Sequence, residues 1–303
     1  MHAALLFTVL AMAAAAEPLT PGNYTRTLQV GGRERSYLVH VPPKYDATKP
    51  TPVVLVFHGA WTNGNTTVLY SGMNRTADDK NFIAVYPNGT GPSEGTLFWN
   101  AGKWVRRQVA DPPDDVEYVR KLLDDLDTVA KVDHKRTFAT GISNGGMMCY
   151  KLASDLSDRI AAIAPIAGTL AFDDPHPKRP VPVLHFHGTE DKLVPYQGPK
   201  NPSEKLLGLK SVDETIHTWV KLNGCPEPAS VESLPNKADD GTTVQRHVYS
   251  PGKDNSEVIL IEIVGGGHTW PGRPFPLQIF GRTTRDINAN EMIWDFFERH
   301  PMP

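Results

Sequence analysis

A serine set among glycines is the first pattern in this chain able to do covalent chemistry. G-x-S-x-G occurs twice, at Gly91-Pro92-Ser93-Glu94-Gly95 and at Gly141-Ile142-Ser143-Asn144-Gly145. A serine hydroxyl is a weak nucleophile at neutral pH, so it needs a base within hydrogen-bond reach and a carboxylate to orient that base. It also needs a sharp strand-to-helix turn with small neighbours, so that strand and helix can approach each other behind it. Ser143 has that setting: TFATGI precedes it, GGMMCYKLASDL follows, and Gly141, Gly145 and Gly146 surround it. Ser93 sits in NGTGPSEGTLFWN, with a proline inside the motif and no helical period after it, and is read as a loop serine.

The partners should come from later strand ends. VPVLHFHG runs into Thr189-Glu190-Asp191, an acid at the carboxyl end of a strand, where open α/β sheets collect their sites. Asp191 is preferred to Glu190 because the following KLVPY permits a turn that sends Asp191 inward. EVILIEIV ends in Gly265-Gly266-Gly267-His268, a flexible turn presenting an imidazole as base. An oxyanion would be held by two main-chain N–H groups. Asn144, after the nucleophile, supplies one; Ala60, in His58-Gly59-Ala60-Trp61, supplies the other, with Trp61 the less favoured donor. His185-x-His187 followed by Asp191 has ligand-like spacing, since alternate strand residues share a face. The other features call for a nucleophile rather than a metal-bound water, so one or both histidines are read as supporting the strand end beneath the triad. No metal and no cofactor are assigned. Trp61, Trp99, Trp104, Tyr196 and Trp270 fall near these segments, and flat rings there could clamp a phenolic acid or a sugar. Trp61, Tyr196 and Trp270 are taken as the substrate contacts.

The elements that must position these groups are legible as periodicity. YTRTLQVGGRERSYLVHVP reads as an edge hairpin turning at Gly31-Gly32. Six apolar runs follow, PVVLVFHG, FIAVYPNG, TFATGIS, IAAIAPIAG, VPVLHFHG and EVILIEIVG, and strands of that kind suit a parallel sheet buried on both faces. Helices are predicted in DVEYVRKLLDDLDTVAKV, NGGMMCYKLASDL, SVDETIHTWVKLNG and INANEMIWDFFERH. Val116, Val119, Leu122, Leu123 and Leu126 form one apolar stripe, with Asp114 or Asp115 available as the cap. Residues 226–253 are polar and Pro-rich, with one strand at VQRHVYS. Only about a dozen residues separate the strands ending at Gly168 and starting at Val181, too few for a large lid.

The chain has 303 residues, 40% hydrophobic and 21% charged, enough for a sizeable core. Its net charge of -3 offers no broad attraction for nucleic acid or anionic lipid, so neither is expected as a partner. Residues 1–16 carry no charged side chain and end in Ala14-x-Ala16, which predicts a signal peptide cleaved near Ala16 and a secreted, extracellular or periplasmic protein. Residues 17–303, without repeats or long linkers, are read as one catalytic domain. Cys149 and Cys225 allow one bridge without establishing it. Asn23, Asn65, Asn74 and Asn88 begin N-x-[ST] sequons.

VLVFHGAW, GISNGGMM, HFHGTEDKLVPY and GGGHTWPG, in that order, resemble the polyhydroxybutyrate depolymerase and feruloyl esterase group of secreted α/β-hydrolases, related to carbohydrate esterase family one. The similarity runs from about Tyr24 to the terminal helix. It implies an α/β-hydrolase fold, a mostly parallel sheet with helices on both faces and no large lid. It also implies cofactor-free hydrolysis of carboxylic esters through Ser143, Asp191 and His268. Ala60 stands where extracellular polyester depolymerases usually have cysteine, and their appended polymer-binding domain is not expected here. Both favour feruloyl or acetyl esters of plant polysaccharide, free or polymer-attached, over polyester. An acyltransferase, and a catalytically inactive binding protein on the same fold, are the other readings.

Overall fold

A computed structural model of the chain describes residues 17–103, 111–200, 208–274 and 278–303. The predicted leader and Trp104 lie outside the described residues.

The chain opens with β1 (Gly22–Val30) and β2 (Arg33–Val41), then β3 (Thr51–Phe57), α1 (Gly64–Ser71), α2 (Met73–Lys80) and β4 (Ile83–Pro87). A small hairpin, β5 (Thr90–Ser93) and β6 (Thr96–Phe98), precedes α3 (Asp115–Asp127), β7 (Val132–Ile142) and α4 (Asn144–Asp155). Next come β8 (Ile163–Ile166), β9 (Val183–Gly188), α5 (Val212–Asn223), β10 (Ser230–Ser233), β11 (Thr243–Tyr249), β12 (Val258–Val264) and α6 (Ala289–Glu298).

Ten strands make one sheet in the order β1-β2-β4-β3-β7-β8-β9-β12-β11-β10. The six from β4 to β12 pair in parallel; β1 and β2 at one edge, and β11 and β10 at the other, are antiparallel. The parallel strands are the six apolar runs of the sequence, and their side chains serve two cores. On β3, Val53, Leu55 and Phe57 join a cluster with Tyr118 of α3, Met148 of α4 and Trp219 of α5. Val54 and Val56 face the opposite cluster, with Ala77 of α2 and Phe297 of α6. That alternation, the period of a strand, places helices on both faces.

On α3, Val119, Leu122, Leu123 and Leu126 are buried and Val116 half-buried, and the Asp114 side chain accepts from the Glu117 amide as N-cap. Residues 226–253 extend the sheet by two antiparallel strands, β11 as expected and β10 in addition. Between β8 and β9 the described chain has no helix. Among the described residues no helix is long and apolar enough to cross a membrane. Cys149 and Cys225 are free thiols, the first buried inside α4.

Candidate active site

β7 ends at Ile142 and α4 starts at Asn144, leaving Ser143 alone in the turn with φ 59° and ψ −123°. Few non-glycine residues occupy that region, so the surroundings must hold it. The Ser143 amide donates to the Ile166 carbonyl at 2.9 Å, fixing the turn to β8. A methyl group on Gly145 would collide with the Phe57 and His58 carbonyl oxygens, and one on Gly168 with that of Ser143. Glycine is required there because three backbones meet. Asn144 adds a side-chain tie: its Oδ1 accepts from the Trp99 amide at 2.7 Å and its Nδ2 donates to the Trp99 carbonyl at 3.2 Å.

The loop after β3 approaches from the other side; a methyl on Gly59 would sit 3.5 Å from Ser143 Cβ. His58 anchors this loop. Its Nδ1 donates to the Gly59 carbonyl at 2.8 Å and its Nε2 accepts from the Gly89 amide at 3.0 Å, which fixes a neutral tautomer. Complete burial depresses its pKa to about 4. The Trp61 amide is already committed to the Leu97 carbonyl at 3.0 Å. No carbonyl takes the Ala60 amide among the described residues, and Asn144, as the first residue of α4, has no intrahelical acceptor for its own.

Asp191 and His268 meet across 77 positions of sequence, Asp191 Oδ2 accepting from His268 Nδ1 at 2.7 Å. The other carboxylate oxygen takes the Leu193 and Val194 amides at 2.8 and 2.9 Å, a turn for which aspartate has the right reach. Glu190 points outward, 3.5 Å from Arg282. Burial by itself would raise the Asp191 carboxyl, but the imidazoles of His187, 3.5 Å away, and of His268, hydrogen-bonded to it, outweigh burial and hold the group well below the usual carboxylate range. The His268 amide donates to the Phe280 carbonyl at 2.6 Å and the two rings stack, which holds the imidazole in place.

Ser143 and His268 line one cavity of about 450 Å³, together with Ala60, Trp61, Asn144 and a set of apolar side chains. Met147, Leu193, Leu209 and Phe280 are among its apolar lining, and among the described residues that line it His268 is the one ionisable group besides the Tyr70 phenol. Trp61, 55% exposed, and Leu193, 51% exposed, form the rim. The sequence reading overlooked Leu193, Leu209, Met147 and Phe280. Phe280 follows a stretch without periodicity, while Leu193 stands two residues after an acid already singled out.

The aromatic expectations divide. Trp61 lies at the cavity as predicted. Trp270 does not: it is fully buried in the second core and its indole N–H donates to Asn290 Oδ1 at 2.8 Å. Tyr196 is also a correction. Its ring packs edge-on against His187 behind the acid, with its hydroxyl at Glu262. Trp99 is buried too, its indole N–H donating to the His58 carbonyl at 3.0 Å. Ser93, expected in a loop, ends β5 and bonds Thr96 Oγ1 at 2.7 Å, away from the cavity. His185 and His187 are wholly buried and bonded to each other at 3.0 Å.

A doubly wound sheet, a serine pinned at a strained turn after a central strand, and an Asp–His pair from later strand ends define an α/β-hydrolase. The family model described as phospholipase/carboxylesterase matches residues 44–223. The putative esterase NocK of Nocardia uniformis subsp. tsuyamanensis is 32% identical, covering 89% of this chain and 81% of that protein. Feruloyl esterase B of Piromyces equi is 28% identical over 89% of this chain, but the match spans only 46% of that relative's length. The fold is shared with an acetyl xylan esterase from Aspergillus awamori, at a TM-score of 0.61 and 14% identity, covering 91% of this chain and 99% of the other. The chain belongs to the phospholipase/carboxylesterase family and is a carboxylic-ester hydrolase.

Proposed function

We propose that this protein is a serine esterase working through an acyl-enzyme, with Ser143 as nucleophile, His268 as general base and Asp191 as the residue that orients the base. The observation that carries this reading is the cavity shared by Ser143 and a His268 ring whose Nδ1 is engaged by Asp191. With Nδ1 engaged, Nε2 is the nitrogen left to exchange protons. His268 removes the hydroxyl proton as Ser143 Oγ bonds to the carbonyl carbon, and the oxyanion accepts from the Asn144 and Ala60 amides. Collapse breaks the bond to the alcohol, which leaves with the proton held by His268. Water, deprotonated by the same imidazole, then releases the acid and restores Ser143.

The substrate proposed is a feruloyl or acetyl ester carried by plant polysaccharide. An apolar cavity rimmed by an indole suits a flat acyl group, and its exposed rim leaves room for a bulky alcohol. The name of the Piromyces equi relative points the same way. Export after cleavage near Ala16 belongs to the same proposal, and N-terminal sequencing of protein from the medium tests it. The decisive experiment compares wild type with Ser143→Ala on p-nitrophenyl acetate, where a fall of about 10³-fold or more is expected. Equal rates would reject the serine mechanism and favour an inactive binding protein. Methyl ferulate, acetylated xylan and polyhydroxybutyrate films then rank the substrates; faster turnover of the films would replace the polysaccharide reading with a polyester depolymerase. Transfer to an added sugar hydroxyl in preference to water would mark an acyltransferase.

A further inference from the structure

Two imidazoles lie immediately upstream of the acid, on the face of β9 that looks into the first core. His185 and His187 are wholly buried and stack with ring centroids 5.2 Å apart. Aliphatic side chains would fill such a place without any need for polar partners, yet here every ring nitrogen has one. The Tyr150 hydroxyl lies 2.8 Å from His185 Nδ1, and His185 Nε2 lies 3.0 Å from His187 Nδ1. His187 Nε2 reaches the Val194 carbonyl at 2.8 Å and Asp191 Oδ2 at 3.5 Å.

The direction of this chain follows from its last link. A carbonyl oxygen can only accept, so His187 Nε2 carries a hydrogen. When that ring holds a single hydrogen, its Nδ1 is a bare acceptor, which His185 meets with Nε2–H. The bare Nδ1 of His185 in turn accepts from the Tyr150 hydroxyl. Burial, reinforced by the adjacent His187, holds His185 far below the ordinary histidine range and therefore neutral. Tyr150 belongs to α4, the helix that Ser143 opens, and Val194 closes the turn whose amides hold Asp191. The three protons all point from the nucleophile's helix toward the acid's turn.

We propose that Tyr150, His185 and His187 are positioning residues, a one-way hydrogen-bond chain that clamps the Asp191–Val194 turn and so keeps Asp191 Oδ2 on His268. This rests on the serine-esterase reading above. A turn held less firmly lets the imidazole wander, and misplacement by about 1 Å costs on the order of 10²-fold in rate.

The test uses the full chain. His187→Leu should lower kcat on p-nitrophenyl acetate roughly 10- to 100-fold with KM almost unchanged. His187→Gln, whose amide can still donate to the Val194 carbonyl, should recover most of that loss. Tyr150→Phe, which keeps the ring and removes only the far donor, should lower kcat a few-fold, and it carries the test if His187→Leu fails to fold. Long-range ¹H–¹⁵N correlation spectra of the wild type should give the Nε2–H tautomer for both histidines, a readout independent of turnover. Wild-type kcat in folded His187→Leu or in Tyr150→Phe would overturn the positioning role, and an Nδ1–H tautomer at either ring would overturn the direction. Ser143→Ala, assayed alongside, separates the two failures. If it is as active as wild type, the esterase reading falls; if it is inactive while the chain variants are unaffected, only the positioning proposal falls.

Discussion

The wall behind His268 and the wall in front of Ser143 are made of opposite materials. Behind, polar atoms are buried and committed: Asp191 takes two amides and an imidazole, and His185 and His187 are bonded on both ring nitrogens. In front, Trp61, Met147, Leu193, Leu209 and Phe280 offer apolar area. Hydrogen bonds have narrow geometry and fix atoms in place, whereas apolar contact is non-directional and tolerates a range of shapes. The rear wall should therefore govern the rate of the chemical step, and the front wall which acyl group is held.

The largest effect expected from this contrast is at Asp191. Asp191→Asn keeps the size of the side chain but upsets the tautomer of His268, and kcat should fall by about 10⁴-fold with little change in KM. A rise in KM with kcat unchanged, measured with methyl ferulate, would break the division between the two walls.

A second test concerns pH and the loop that presents Ala60. His58 has its folded pKa near 4, below the unfolded histidine value of 6.5, so the unfolded chain binds the proton first. Stability is therefore complete above about pH 6.5 and is lost as pH falls through the window toward 4. The loss attributable to His58 between pH 7 and pH 4.5 is about 2 to 3 kcal/mol. Urea unfolding of wild type and His58→Gln at both pH values checks it: the variant should lack this part of the acid sensitivity.

The smallest effects sharpen the contrast between two indoles. Trp61→Ala removes a rim ring and should raise KM for methyl ferulate several-fold, about 1 kcal/mol, with kcat and stability nearly unchanged. Trp270→Phe leaves the buried Asn290 oxygen without its donor and should cost about 1 to 2 kcal/mol of stability with KM unchanged. Kinetics and thermal melts on the same two preparations decide whether the rings have these separate duties.

How far these features could be read from the sequence depends on range. The six parallel strands were legible because burial on both faces leaves continuous apolar runs, and the elbow because glycines crowd around Ser143. Asp191 was legible through a local turn, its carboxylate accepting amides two and three positions ahead. The direction of Trp270 was not. It stands two residues after His268, but its partner Asn290 is 20 positions further on, and nothing local tells which way the indole turns. Helix α1, GNTTVLYS, has no apolar stripe; its one signal was Asn63, whose side chain caps the Thr66 amide. Phe280 meets His268 through a backbone hydrogen bond, which no side-chain pattern encodes.

The φ of 59° at Ser143 has a price in durability. A side chain held in that conformation costs of order 1 to 3 kcal/mol, which glycine would not incur. Ser143→Gly, with no hydroxyl left to attack an ester, should therefore melt at a higher temperature than the active protein. Reactivity and endurance would then be set against each other at a single backbone torsion, and enzymes improved for heat by substitution elsewhere would carry that local weakness unchanged.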